Sequence, residues 1–183
     1  MQPENQPDPV DPLAGSLSHG ETLSVVWQAS PALADGQELA ELNRRAGALL
    51  GLLGSLDEPT PLPDDEPQLS AQLQRLDQKL DLLLGLVGQW LARELTVPPP
   101  QPVRLGVRGA VWQASLPPGP GCLTLYLRPA LPLALQLPAR LQALADGTVL
   151  AEFQALDPSV VEALERYIFR QHRRAVAQAR RPG

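Results

Sequence analysis

A chain of 183 residues allows one compact domain with appendages or two small domains sharing a core. Hydrophobic residues reach 44% but aromatics only 4%, so leucine, alanine and valine must form the core, and the lone Cys122 excludes an intramolecular disulfide. The net charge of −5 is uneven, with 15 Asp+Glu against 5 Lys+Arg in residues 1–100 and 5 against 10 in residues 101–183, so the two parts carry −10 and +5.

The opening Met1, Gln2, Pro3, Glu4 has no basic-then-apolar leader pattern, and with a single cysteine this points to a reducing, cytoplasmic setting. Residues 1–20 carry Pro3, Pro7, Pro9 and Pro12 with scattered acids, the composition of a disordered arm. In residues 22–30, Leu23, Val25 and Trp27 recur with period two, as on a half-buried strand; the first strand region is placed at 21–33.

A helical insertion is expected over 34–97. Leu39, Leu42, Ala46, Leu49, Leu53 and Leu56 alternate three- and four-residue steps, the seam of a helix facing another helix, weakened by Gly47, Gly51 and Gly54. A Pro- and acid-rich linker over 58–67 follows. Then Leu69, Leu73, Leu76, Leu80, Leu83, Val87 and Trp90 recur at steps of four and three. With Leu73, Leu80 and Val87 at a and the others at d, Leu84, Leu86 and Leu91 fall on e and g sites that a dimeric coiled coil keeps charged. The apolar face is therefore wider than a two-helix seam. A hairpin of the two helical segments within one chain would leave Leu84, Leu86 and Leu91 bare, so copies of the chain are expected to meet there. The longest apolar run, 82–87, is far short of the roughly 20 residues a membrane span needs.

Pro98, Pro99, Pro100 and Pro102 end the helix at about Thr96. Short extended stretches follow at 103–107, 110–114, 122–128, 132–137 and 148–154, the last behind an Asp146-Gly147 turn; with 22–30 they suffice to close a small barrel. Asp157-Pro158 reads as a helix start, the carboxylate capping free amides, and a terminal helix runs through Tyr167 toward Arg174.

Chemistry-bearing residues are sparse. His19 falls in the expected arm, His172 in an arginine-rich tail, and Cys122 has no local partner motif, so no enzyme, metal or cofactor is expected. Gly106 and Gly109 lack the companions of a phosphate loop and suit turns or barrel corners. The cluster Arg166, Arg170, His172, Arg173, Arg174, Arg180 and Arg181 could hold phosphates. Its interleaved Ala175, Val176 and Ala177 give bases nothing to stack on, which argues against nucleic acid and for pairing with the helix dipole and the acidic half.

From Val103 onward the chain resembles a known group. The run from Arg104 to Trp112 (RLGVRGAVW), the strands, and the ending from Asp157 to Arg174 (DPSVVEALERYIFRQHRR) are similar to bacterial PilZ domains, especially the atypical tetrameric branch whose barrel is interrupted early by heptad-bearing helices. The resemblance implies an α+β protein: a six- or seven-stranded antiparallel PilZ-like β-barrel, a long helical coiled-coil insertion, and the rest of the barrel with a C-terminal helix and basic tail over 98–183. It implies a homo-oligomer, a tetramer, acting through an unidentified protein partner in cyclic di-GMP-related signalling. PilZ domains commonly bind cyclic di-GMP through arginines before the first strand and an Asp/Asn-x-Ser-x-x-Gly turn. Here Ser18, His19, Gly20 and Glu21 stand before the expected strand, and the turn aligns with Arg104-Leu105-Gly106-Val107-Arg108-Gly109, matching only at Gly109. Binding by the usual motif is therefore not expected. Two alternatives remain: a cyclic di-GMP receptor using Arg104, Arg108, Arg170, Arg173 and Arg174, and nucleic-acid binding through the tail.

Overall fold

The computed structural model describes residues 12–30, 36–57, 67–128 and 130–179. Most of the expected arm, the linker at 58–66, and Arg180 and Arg181 lie outside them.

Six strands close a barrel: β1 (Ser18–Ala29), β2 (Gln101–Gly106), β3 (Gly109–Gln113), β4 (Gly119–Tyr126), β5 (Ala134–Ala143) and β6 (Thr148–Phe153), in the order β1-β2-β3-β6-β5-β4 with every pair antiparallel. Closure falls to β1, which is long enough to serve two neighbours. Its first half pairs with β2, from Ser18↔Gly106 to Leu23↔Gln101, and its second half with β4, from Ser24↔Tyr126 to Ala29↔Gly121. The Asp146-Gly147 turn is made as the residue types require: Gly147 takes φ 78°, and Asp146 Oδ1 accepts from the Thr148 amide at 3.0 Å.

Alternation along the strands sends Leu23, Val25, Val103, Leu105, Leu123, Leu125, Leu135 and Leu137 inward, all buried, so the core is aliphatic as the composition requires. Helix α1 (Gly36–Asp57) packs on β5 and on helix α3 (Pro158–Ala179). Helix α2 (Pro67–Glu94) separates them in sequence. From α3, Val160, Leu164, Tyr167 and Ile168 complete the core; from α1, Ala46, Leu50 and Leu53 do. The seam on α1 thus faces α3, not α2. Two glycines that weaken α1 as an isolated helix admit α3: a Cβ on Gly47 would lie 3.7 Å from Val160, and one on Gly54 3.2 Å from the Arg170 guanidinium.

Strand starts differ from the sequence reading by two or three residues at β1, β2, β4 and β5, and the capping of α3 differs while its start does not. β1 begins at Ser18, so His19 and Glu21 are strand residues, and Leu13 is buried ahead of them beside Gly106. At the head of α3, the Val160 and Val161 amides donate to the Asp157 carbonyl (2.9 and 3.0 Å), while the Asp157 amide itself is taken by Asn43. The carboxylate the sequence pointed to is not the group in these bonds.

Candidate functional site

α2 carries the heptads, and the side chains along them are mostly in solvent. Leu69, Leu76, Leu83, Leu86 and Val87 are exposed, with Leu80 at 55% and Trp90 at 61%. Leu82, on a different side of the helix, is also exposed. Leu73, Leu84 and Leu91 are half-buried. The reason lies at Gly88, which is buried with its Cα against the carbonyl of Ala130, where even a methyl group would collide. Leu84, Gly88 and Leu91 fall at i, i+4 and i+7 and share one stripe. That stripe turns toward the 130–131 loop of its own chain; the a/d seam, Trp90 included, and the flank bearing Leu86 turn away. After Leu95, whose amide still donates to Leu91 (2.9 Å), the prolines carry the chain to β2.

The arginines singled out in the sequence sit on separate elements. Arg104 is half-buried on the outer face of β2, and Arg108 is exposed in the β2–β3 turn with its carbonyl accepting from the Phe153 amide at 2.9 Å. Arg170 is half-buried where α3 passes Gly54 of α1; Arg173 and Arg174 are exposed, Arg173 lying 5.9 Å from the centre of the Phe169 ring. Gly109 sits where β3 passes β6 so closely that a Cβ would come within 2.6 Å of the Ala151 carbonyl oxygen. Its absence of side chain is required by the barrel whatever is bound.

Cys122 is half-buried, and burial pushes its thiol up, away from the thiolate a nucleophile needs. Among the described residues no group of three or more His, Cys, Asp or Glu is placed to hold a metal. A shallow recess lies beside the start of α1, lined by Gln37, Glu38, Ala40, Glu41 and Arg44; its Glu41 is occupied by Arg44 and Arg45, which hold the carboxyl down at about 2. It carries no role here, since Glu41 and Arg44 satisfy each other. A smaller cleft of about 280 Å³ opens where Pro98, Pro99 and Pro100 cross Thr22, Ser24, Tyr126 and Arg128.

The sequence reading missed two polar groups. Asn43 is buried on the apolar stripe of α1, and Glu21 is half-buried on β1 beneath α3. Asn43 was visible in principle, as an amide at i+4 from Leu39 and i−3 from Ala46. Glu21 falls at the first position of the expected strand region, 21–33, ahead of the apolar period that begins at Leu23, so nothing in the pattern marked it as buried.

The family model described as "Atypical PilZ domain, cyclic di-GMP receptor" matches residues 49–181. The chain belongs to the atypical PilZ family. Among solved structures, a pathogenic protein from Xanthomonas campestris, described as a new tetrameric PilZ domain self-assembled via an unusual helical bundle, is similar at 29% identity. The match covers 89% of this chain and 92% of that one, with a TM-score of 0.68. None of the curated proteins compared with the chain matches it. PilZ domains are binding and receptor domains, not enzymes. No described helix of this atypical PilZ chain is long and apolar enough to cross a membrane.

Proposed function

We propose that this chain is a non-enzymatic, cytoplasmic PilZ adaptor in cyclic di-GMP-related signalling, in which α2 and its symmetry copies form a helical coiled-coil bundle that presents several barrels at once. The carrying observation is the uncovered a/d seam of α2. Burying the remaining exposed half of each of its large side chains contributes about 1 kcal/mol. Some six of them, from Leu69 to Trp90, offer several kcal/mol per copy toward the cost of association. The family relative that assembles as a tetramer through a helical bundle supports the same stoichiometry here.

The adaptor reading also rests on what the chain lacks. The first arginine in the sequence is Arg44, so none precedes β1, and Arg104 and Gly106 stand where a guanine-reading acceptor and hydroxyl are usual. A multivalent array of barrels needs no ligand to gain avidity for a protein partner, because the second contact is intramolecular. Light scattering tests the assembly: the wild type should weigh four times the 19.7 kDa protomer, and Leu80→Asp with Leu83→Asp should reduce it to a folded monomer. A wild-type monomer at high micromolar concentration overturns the reading.

The family's description as a cyclic di-GMP receptor favours a second reading, in which Arg104, Arg108, Arg170, Arg173 and Arg174 supply a non-standard site. Calorimetry with cyclic di-GMP separates the two. Saturable micromolar binding, lost in Arg104→Ala or Arg170→Ala, would replace the adaptor by a receptor.

A further inference from the structure

Between β1 and α3 lies a set of titratable groups that neither assembly nor ligand binding uses. The cross-strand partners of His19 and Glu21 are Leu105 and Val103, both buried inside the barrel, so His19 and Glu21 share that inward side, where α3 closes the barrel. Tyr167, the largest fully buried side chain, donates its hydroxyl to Glu21 Oε2 across a long 3.4 Å. Glu21 Oε1 is buried with no hydrogen-bond partner among the described residues. Two residues before Glu21, the His19 ring meets the His172 ring of α3 edge to face, centroids 6.2 Å apart. Two described arginines on the neighbouring elements are directed elsewhere: Arg104, opposite Gly20, leaves β2 on the outer face, and the Arg170 guanidinium lies at Gly54 of α1.

A carboxylate in this position would have a buried oxygen with no donor among the described residues, whereas a protonated carboxyl leaves no full charge unsolvated. We infer that the β1–α3 contact is a proton-operated latch: protonated Glu21 holds α3 against the barrel, and ionisation of Glu21 loosens the helix and with it the arginines that α3 carries.

Burial pushes the Glu21 carboxyl up to about 7, only partly countered by the Tyr167 hydrogen bond. Because the docked value lies above the undocked one, the stabilisation is complete below the ordinary carboxyl range, falls as pH rises, and is gone above about 7. His19 is shifted the opposite way, downward, by burial and then by His172, so its contribution is lost as pH falls. The two groups oppose each other, and a comparison that removes Glu21 alone isolates the carboxyl.

The test uses the full chain and amide hydrogen exchange of α3, corrected for the intrinsic rate, in wild type and Glu21→Gln between pH 5 and 8.5. The ratio of wild-type to variant opening constants should rise about tenfold per pH unit up to near pH 7 and then level, roughly a hundredfold in all. A ratio that does not change with pH overturns the latch. Should Glu21→Gln not fold, the carbon-13 chemical shift of the Glu21 carboxyl in the wild type decides alone: a midpoint near 7 supports the latch, and one in the ordinary carboxyl range near 4.5 ends it.

Discussion

Replacing Asn43 by alanine measures how far one buried amide holds α1 to the corner between β6 and α3. Asn43 is 2% exposed. Its Nδ2 donates to the carbonyls of Leu39 and Ala155, each at 3.1 Å, and its Oδ1 accepts from the Asp157 amide at 2.8 Å. Ala155 holds φ 49°, a left-handed conformation that costs an L-residue about 1–2 kcal/mol, so the bonds on either side of it oppose a standing tendency to relax. Asn43→Ala removes both long-range bonds, each about 0.5–1.5 kcal/mol, for an expected loss of about 1–3 kcal/mol. Asn43→Asp keeps an acceptor for the Asp157 amide but sets a carboxylate oxygen against two carbonyls, so it should cost at least as much. Ala155→Gly relieves the backbone and should recover up to about 1 kcal/mol, in either background. Urea unfolding followed by far-ultraviolet circular dichroism, with the slope unchanged, reads all three. A loss below ~0.5 kcal/mol for Asn43→Ala, the usual scatter of surface substitutions, would refute the reasoning, as would a strongly destabilising Ala155→Gly.

Three further outcomes follow from close backbone approaches. A methyl group on Gly121 would meet the Gln28 carbonyl and come within 2.6 Å of the Trp27 ring, so Gly121→Ala should destabilise by about 1–3 kcal/mol and shift indole emission; an unchanged urea midpoint would contradict it. Gly109→Ala should cost a similar amount, read by the same titration with or without cyclic di-GMP, because the obstruction is the Ala151 carbonyl and not a ligand. Gly88→Ala favours α2 as a helix by about 1 kcal/mol yet pushes it off Ala130, so hydrogen exchange at the Leu131 and Leu133 amides should quicken while the β-ladder amides stay protected. Unchanged exchange at those two amides would mean the stripe does not seat α2.

The barrel was legible because its strands bury alternate residues and its turns use residues with narrow backbone roles. Asp146-Gly147 located a hairpin, four prolines ended α2, and Asp157-Pro158 began α3. Strand ends were less legible, since register is a property of pairs. Ser18 to Glu21 carry no apolar period of their own and become strand only because β2 supplies Val103, Arg104, Leu105 and Gly106 opposite them. Glu21, ahead of the apolar period that begins at Leu23, was unmarked for the same reason. Pairing between helices was likewise not readable: the α1 seam is equally good for α2 or α3, and what selects α3 is the space left at Gly47 and Gly54 together with the Asn43 bonds to Ala155 and Asp157. Periodicity records a face, and it does not record the occupant.

That distinction separates assembly from folding in this chain. The core closes without α2: its buried members come from the six strands, Leu127 just after β4, α1 and α3, and α1 is fastened by Asn43 and by its glycine contacts with α3. What α2 adds is a helix held to its own chain along one stripe at Gly88, with the seam beside that stripe and a further flank at Leu86 both facing outward. A single partner helix covers a seam but leaves a flank, so the arrangement calls for more than one neighbour for each α2. Charges placed at Leu80 and Leu83 should therefore dissolve the assembly while leaving the barrel's unfolding transition nearly where it was. If the barrel instead unfolds with the bundle, α2 is a folding element, and the proposed division of labour between the two is wrong.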